Sequence, residues 1–159
     1  MTYYLPDSEQ DFKHRNTNRI DIAHIKAIEF LVKHEIYYKT MGFDPKEDKV
    51  PSELWWKVPT FIRCMPDIFT ITDKGFSFLE VKGCRGSLKI KLDDYFQYKL
   101  WATYSKMLIF VYSTAKKCNY LFNVSVLDSL IDNAVIMHYK DNGKMFFKIK
   151  LNDIEKFAV

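Results

Sequence analysis

Cysteine is scarce in this sequence: Cys64, Cys84 and Cys118 form an odd set of three with no CxxC spacing. That excludes a disulfide-stapled secreted module and the usual structural zinc site, and it makes a reducing, intracellular compartment the simplest expectation. No apolar run approaches the ~20 residues that a membrane-spanning helix needs, and the start, MTYYLPDSEQDFKHR, lacks the basic-then-apolar order of a signal peptide. No membrane partner is expected. The motifs GxxxxGK(S/T), GxSxG and HExxH are absent, which sets aside the common NTPase, serine-hydrolase and zinc-protease readings. Low hydrophobicity, the mark of disorder, is also absent: with 48% hydrophobic and 28% charged residues, a chain of 159 residues can bury one core as a single domain.

Aromatic residues are plentiful, at 16%, with thirteen Phe and ten Tyr. Most such rings belong to a core, yet a supply this large leaves some for the surface, where they stack on bases or form an interface. The formal net charge of +4 and the pI near 8.8 agree with a polyanionic partner, although many ordinary enzymes are as basic.

Along the chain, residues 1 to about 17 are polar and aperiodic. From about Asn18 to Lys39 the spacing of Ile20, Ala23, Ala27, Ile28 and Leu31 predicts an amphipathic helix with Lys26 and Lys33 outside. LWWKVPTFIR and DIFTITD read as strands, and GFSFLEVKG alternates as a third, joined to the second by a tight turn at Asp73, Lys74 and Gly75. After the basic segment GCRGSLKIK, residues 92 to 105 return to helical spacing with Tyr95, Tyr98, Leu100, Trp101 and Tyr104 on offer for one face. MLIFVYS has the continuous apolar character of a strand covered on both sides. Further on, SVLDSLIDN reads as a short helix, VIMHYK and MFFKIK as a hairpin around Asp141, Asn142 and Gly143, and LNDIEKF as a helical tail. The expected fold is α/β: one mixed sheet flanked by helices, with a core of about residues 18–113 in the order αβββαβ and a hairpin and helix extension over about 114–159.

The stretch that carries chemistry is MPDIFTITDKGFSFLEVKG, in which Glu80 follows Asp67 by thirteen positions and Lys82 follows Glu80 by two. Residues i and i+2 of a strand share a face, so Glu80 and Lys82 project together. If the chain reverses near Lys74, Asp67 comes alongside Glu80 or Val81. Two carboxylates and an ammonium then share one patch. Hard oxygen donors of this kind suit a hard cation such as Mg²⁺, an ion that lowers the pKa of a bound water and offsets charge at phosphorus, while Lys82 can orient the water or stabilise developing negative charge. The bland alternative is an exposed Glu80–Lys82 ion pair on a strand that Asp67 opens, worth little to stability.

These residues resemble the PD-(D/E)xK phosphodiesterase superfamily of restriction endonucleases, Holliday-junction resolvases and repair nucleases: Pro66 and Asp67 match its PD, and Glu80, Val81 and Lys82 its ExK. The resemblance covers roughly residues 18–113. It implies a restriction-endonuclease-like fold, Mg²⁺ or Mn²⁺ held by Asp67, Glu80 and the main-chain carbonyl of Val81, and water activation assisted by Lys82. The family usually adds an acidic residue from the first helix. On a helical wheel Glu29 points to the lysine side, whereas Asp21 flanks the apolar face and His24 falls near its middle, so Asp21 and His24 are equal candidates. Each also has an ordinary role, Asp21 at a helix N-terminus and His24 as a packed histidine.

Arg85, Lys89 and Lys91 follow Lys82 as a basic segment able to hold phosphates, with solvated surface charge the equal alternative, and Gln97 on the second helix is placed to face the site. The functional expectation is a metal-dependent deoxyribonuclease, an endonuclease on DNA with structured or branched substrates open to it, RNA not being distinguished. A resolvase role would pair two active sites in a C2 homodimer. The alternative is a nucleic-acid-binding or assembly protein that keeps the scaffold without cutting; the two carboxylates argue against it, because without a metal they repel phosphate.

Overall fold

The computed structural model describes residues 22–42, 51–140 and 142–159. Asp21 and Asp141 lie outside them. The first helix described, α1 (Ile22–Lys33), buries Ala23, Ala27 and Leu31, a stripe repeating every fourth residue. It stops well before Lys39, the end expected from periodicity. Glu35 takes a left-handed φ of 54°, its N–H reaches the Val32 carbonyl at 3.1 Å, and the Ile36 N–H reaches the Leu31 carbonyl at 2.9 Å. This is a Schellman ending, with a glutamate where glycine is usual. The turn frees Tyr37–Thr40 to form strand β1, whose Tyr37 and Tyr38 are good β-formers.

LWWKVPTFIR is not a strand. Ser52–Lys57 forms a 3-10 turn and Thr60–Arg63 a single helical turn, α2, preceded by Pro51 and Pro59 at φ of −56° and −55°. Proline supplies the φ that starts a helix and no donor for a ladder, which decides against the β-propensity of the aromatic run. The three-strand unit is instead β1, β2 (Ile68–Thr72) and β3 (Gly75–Cys84). The chain continues through β4 (Ser87–Lys91), α3 (Leu92–Trp101), β5 (Lys106–Ser113), β6 (Cys118–Asn123) and α4 (Val124–Ile131). It closes with β7 (Val135–His138), β8 (Met145–Lys150) and α5 (Leu151–Ile154), with a 3-10 turn over Glu155–Phe157.

Two sheets result, ordered β1-β2-β3-β5-β6 and β4-β8-β7. Among the described strands of the larger one, only β3 and β5 run parallel. Such a pair needs a long crossover, which β4 and α3 provide. The segment expected to be an open basic loop is therefore partly a strand, with Leu88 and Ile90 buried and β4 pairing along its length with β8. The hairpin of β7 and β8 forms as the sequence indicates, whereas β6 was not foreseen.

The large sheet is covered on both faces. On one, α1 packs Ala23, Ala27 and Leu31 against Ile68, Leu79, Val81 and Phe110. On the other, Phe78, Met107, Ile109 and Val111 meet Tyr98 of α3, Leu127 of α4 and the small sheet's Ile90 and Ile149. Asp128 joins the two helices of this layer, accepting from the Tyr95 hydroxyl and the Lys99 ammonium at 2.6 Å each. Among the described residues no helix is long and apolar enough to cross a membrane.

Candidate active site

The hairpin of β2 and β3 sets the geometry. Its register pairs Ile68 with Leu79, so Asp67, one step beyond the end of β2, stands across from Glu80. Gly75, at a φ of 118°, makes the reversal, a conformation that side chains disfavour. Because β2 begins only at Ile68, the Val81 N–H has no ladder partner from that strand; Asp67 fills the gap, its Oδ2 accepting from Val81 N at 2.7 Å. A strand residue presents its N–H and C=O to the same edge, so the Val81 carbonyl looks the same way. The chain after β1 anchors Asp67 in turn. Met41 N donates to the Asp67 carbonyl at 2.7 Å, Gly42 N donates to that of Pro66 at 3.1 Å, and Gly42 passes over the carboxylate at a φ of 74°.

Glu80 and Lys82 project to the face opposite α1, beneath α3. Glu80 is 7% exposed, and its Oε1 accepts from the Tyr98 hydroxyl at 2.7 Å and lies 2.7 Å from the Lys82 Nζ. Asp94, one helical turn before Tyr98, puts Oδ2 3.7 Å from the same ammonium. Burial pushes the Glu80 carboxyl up to about 7; Lys82 opposes this, Asp67 adds to it, and the bond from Tyr98 again opposes it. Burial by itself would lower the Lys82 ammonium, but Glu80, Tyr98, Asp94 and Asp67 together raise it well above its ordinary value. Lys82 is thus a cation at neutral pH, and Tyr98, raised chiefly by burial and Glu80, is a neutral donor.

These groups line a cleft of about 200 Å³ whose other walls include Gly42, Arg63, Cys64 and Lys91. Arg63 donates from Nη2 to Thr60 Oγ1 at 3.0 Å, while its buried Nε has no partner among the described residues. The Cys64 thiol, 3.9 Å from Asp94, is pushed up by burial and then by that carboxylate.

Asp67, Glu80, Lys82 and Lys91 are therefore brought together, with the Val81 main chain at the cleft's edge. Of the other expected residues, Asp21 lies outside the described residues, and His24, Lys89, Arg85 and Gln97 do not line the cleft. His24 is half-buried on α1 next to Ala23, which packs on Gly83, and it does not line the cleft. Lys89 lies in the small sheet, its ammonium 5.4 Å from the centre of the Phe146 ring. Arg85 is exposed in the turn between β3 and β4, its carbonyl accepting from Ser113. Gln97 is half-buried away from the cleft, with Oε1 unpartnered among the described residues. Asp94 was the missed group, and its signal was legible: it precedes Tyr98 by four residues, which puts the two on one helix face. Arg63 and Cys64 left no signal once their segment was read as a strand.

Two carboxylates on neighbouring strands and a strand-edge carbonyl offer the hard oxygens that Mg²⁺ or Mn²⁺ takes, and this ion commonly uses only one or two carboxylates. Among the described residues no cluster of three or more His, Cys, Asp or Glu is placed to hold an ion. The pair still fits a cation, since a buried carboxyl raised by a neighbouring carboxylate is what a positive charge would relieve. Tyr98→Phe probes this environment directly. Loss of the hydroxyl is expected to lower unfolding free energy by about 1.5 to 3 kcal/mol, the worth of a bond to a charged acceptor. Urea unfolding near pH 8 measures it, and an unchanged midpoint would show that the bond contributes nothing.

No protein-family model and no curated protein sequence matches the chain. Among solved structures, it is similar to Hjc, a Holliday junction resolvase from the archaeal hyperthermophile Archaeoglobus fulgidus, with TM-score 0.52 and 12% identity over 86% of this chain and 87% of that one. A nuclease from a fusselovirus also aligns, with TM-score 0.44 and 9% identity over 96% of this chain and 89% of the other. The likeness to Hjc and the mixed sheet between helices give the chain an Hjc-like, restriction-endonuclease-like fold, in which Pro66, Asp67, Glu80, Val81 and Lys82 are set on one hairpin.

Proposed function

We propose that the chain is a metal-dependent endonuclease that hydrolyses phosphodiester bonds in DNA, with branched or otherwise structured DNA as its substrate. One observation carries this reading: Asp67, Glu80 and Lys82 converge on a single cleft, held there by bonds to Val81 and Tyr98. The likeness to a resolvase supports a branched substrate as the first to try.

Asp67, Glu80 and the Val81 carbonyl would hold Mg²⁺ or Mn²⁺, which when bound acidifies a water and offsets charge on the phosphate. One Asp67 oxygen is fixed by Val81 N, so the side-chain rotamer is set before substrate arrives. Lys82, already protonated, serves as a fixed positive charge beside the reacting phosphate and not as a base. Asp94 and Glu80 hold that ammonium between them. Arg63 and Lys91, on the cleft wall, are placed for the non-reacting phosphate oxygens.

The test is incubation with linear, single-stranded and four-way-junction DNA in Mg²⁺, Mn²⁺ or EDTA. Cutting of the junction in metal and none in EDTA is the expected result. Binding without cutting in either metal would sink the hydrolase and leave a nucleic-acid-binding scaffold.

A second measurement needs no substrate. A carboxyl raised from 4.5 to about 7 keeps its proton in the native state where the unfolded chain has lost it, so this group makes the metal-free protein less stable as pH rises through that window. The raised Lys82 contributes stability that persists throughout it. Below about pH 7 a proton competes with the cation for Glu80. Mn²⁺ should therefore raise Tm more at pH 8 than at pH 5.5; equal increments at the two would show that Glu80 is no ligand.

A further inference from the structure

The face that carries Glu80 and Asp67 continues along the hairpin as two further rows of side chains. In register, Lys39, Phe69 and Phe78 form the first, and Tyr37, Ile71 and Phe76 the second. The second row is exposed: Tyr37 80%, Ile71 48% and Phe76 46%. Four residues of strand separate Phe76 from Glu80, which is ~13 Å. The rings make a connected wall: Phe76 lies 5.3 Å from Phe69 and 5.9 Å from Phe78, Phe78 lies 5.0 Å from Trp101, and Trp101 stacks on Phe61 at 4.2 Å. The Ser105 hydroxyl donates to the Phe76 carbonyl at 2.7 Å and ties the chain after α3 to this strand.

We infer that this wall stacks the unpaired bases of a nucleic-acid strand whose backbone enters the cleft, so that the preferred substrate carries single-stranded nucleotides beside the cut bond. The inference rests on the nuclease reading and narrows its substrate. Three observations select this occupant. The exposed outer row lies on the same sheet face as the cleft, four residues of strand from Glu80, so a strand held at Glu80 can reach it. Its exposed members are mainly aromatic, and ring faces accept any base while giving about 1 to 3 kcal/mol per base. Lys39 stands exposed between the carboxylates and the outer row, where a phosphate would lie; the buried centre of a protein–protein interface is instead depleted of lysine.

The test is binding in EDTA, followed by anisotropy of fluorescein-labelled DNA as a single strand, a duplex with a single-stranded flap, and a blunt duplex. Tyr37→Ala and Phe76→Ala should each weaken the single strand and the flap about tenfold, while the blunt duplex stays within about twofold and Tyr37→Phe binds as the parent. Lys39→Ala should weaken all three and flatten the salt dependence. Unchanged affinity in both ring variants, or equal losses on the blunt duplex, overturns the inference. A dimer of the parent that Tyr37→Ala dissociates, with DNA affinity unaffected, would also overturn it and assign the wall to a second copy of the chain. Tyr37, on an edge strand, keeps the test decisive should Phe76→Ala unfold. Because no cutting is measured, affinity that does not depend on the rings speaks against stacking alone, and failure of the parent to cut in metal speaks against the hydrolase alone.

Discussion

Glu80→Gln is expected to lower single-turnover cleavage in Mg²⁺ by at least about 100-fold, with the circular dichroism of the parent retained. The substitution keeps the shape of a side chain that is 7% exposed, and the amide oxygen can still accept the Tyr98 hydroxyl bond of 2.7 Å. What it removes is the negative charge, and with it both an oxygen for the proposed metal ion and the partner of Lys82. Lys82→Ala should cost a similar factor for a different reason. The ammonium lies 2.7 Å from Glu80, and deleting it leaves a buried carboxyl, already at about 7, with nothing close to hold it ionised except Tyr98. Glu80 then carries its proton at neutral pH, so the residual rate of Lys82→Ala should climb with pH more steeply than that of the parent. Mn²⁺ should lose its stabilising effect in Glu80→Gln. Cleavage at the parent rate in either variant would remove both residues from the mechanism.

The parts of the site that the sequence made legible are those set by the shortest-range rule, strand alternation. It puts Glu80 with Lys82, and the turn at Asp73 and Lys74 brings Asp67 opposite Glu80, whatever the rest of the chain does. α3 was legible for the same reason at helical spacing, and so was Tyr98. Errors gathered where a local preference competed with a backbone constraint. The aromatic run of Leu54, Trp55 and Trp56 has the propensity of a strand, but Pro51 and Pro59 set helical turns around it. The first helix has the periodicity to reach Lys39, but Glu35 enters the left-handed region and ends it. These two errors are linked: Tyr37–Thr40 became the edge strand that the run could not supply.

Lys89 and Gln97 were misplaced by a longer-range effect. Ser87–Lys91 reads as a basic loop because its pairing partner, β8, comes nearly sixty residues later, and pattern alone cannot announce a ladder with so distant a strand. Once β4 is drawn into the small sheet, Lys89 is carried over Phe146 and only Lys91, at the strand's end, returns to the cleft. Asp94 gains its place from the same pairing, since α3 starts immediately after β4 and carries the aspartate in its first turn. An acidic residue is favoured there by the helix dipole in any case. That local explanation is sufficient by itself, which is why the residue drew no attention as part of a site.

Phe110→Ala is expected to lower unfolding free energy by about 3 to 5 kcal/mol, the usual cost of emptying a buried aromatic site, although its side chain lies on the sheet face opposite Glu80 and Lys82. Phe110 is on β5 between Val81 of β3 and Leu121 of β6, fully buried, on the face that α1 covers. Its ring lies 5.7 Å from that of Phe30, so the vacated volume would open between the sheet and α1, where two short side chains, Ala23 and Ala27, already bring the helix close. Little is free to collapse into the space. At ~2 to 4 °C per kcal/mol for a domain of this size, Tm should fall by roughly 6 to 20 °C. Phe96→Ala, at a ring 58% exposed on α3, is the matched control and should shift Tm little. Glu80 and Lys82 project from the opposite face, so at a temperature where Phe110→Ala is folded its single-turnover cleavage should match the parent's. A loss of cutting out of proportion to the loss of stability would mean that α1 positions the carboxylates through the sheet. A cost no larger than that of Phe96→Ala would mean that α1 is not docked on this face, and the helix would be free to bring His24 towards the cleft.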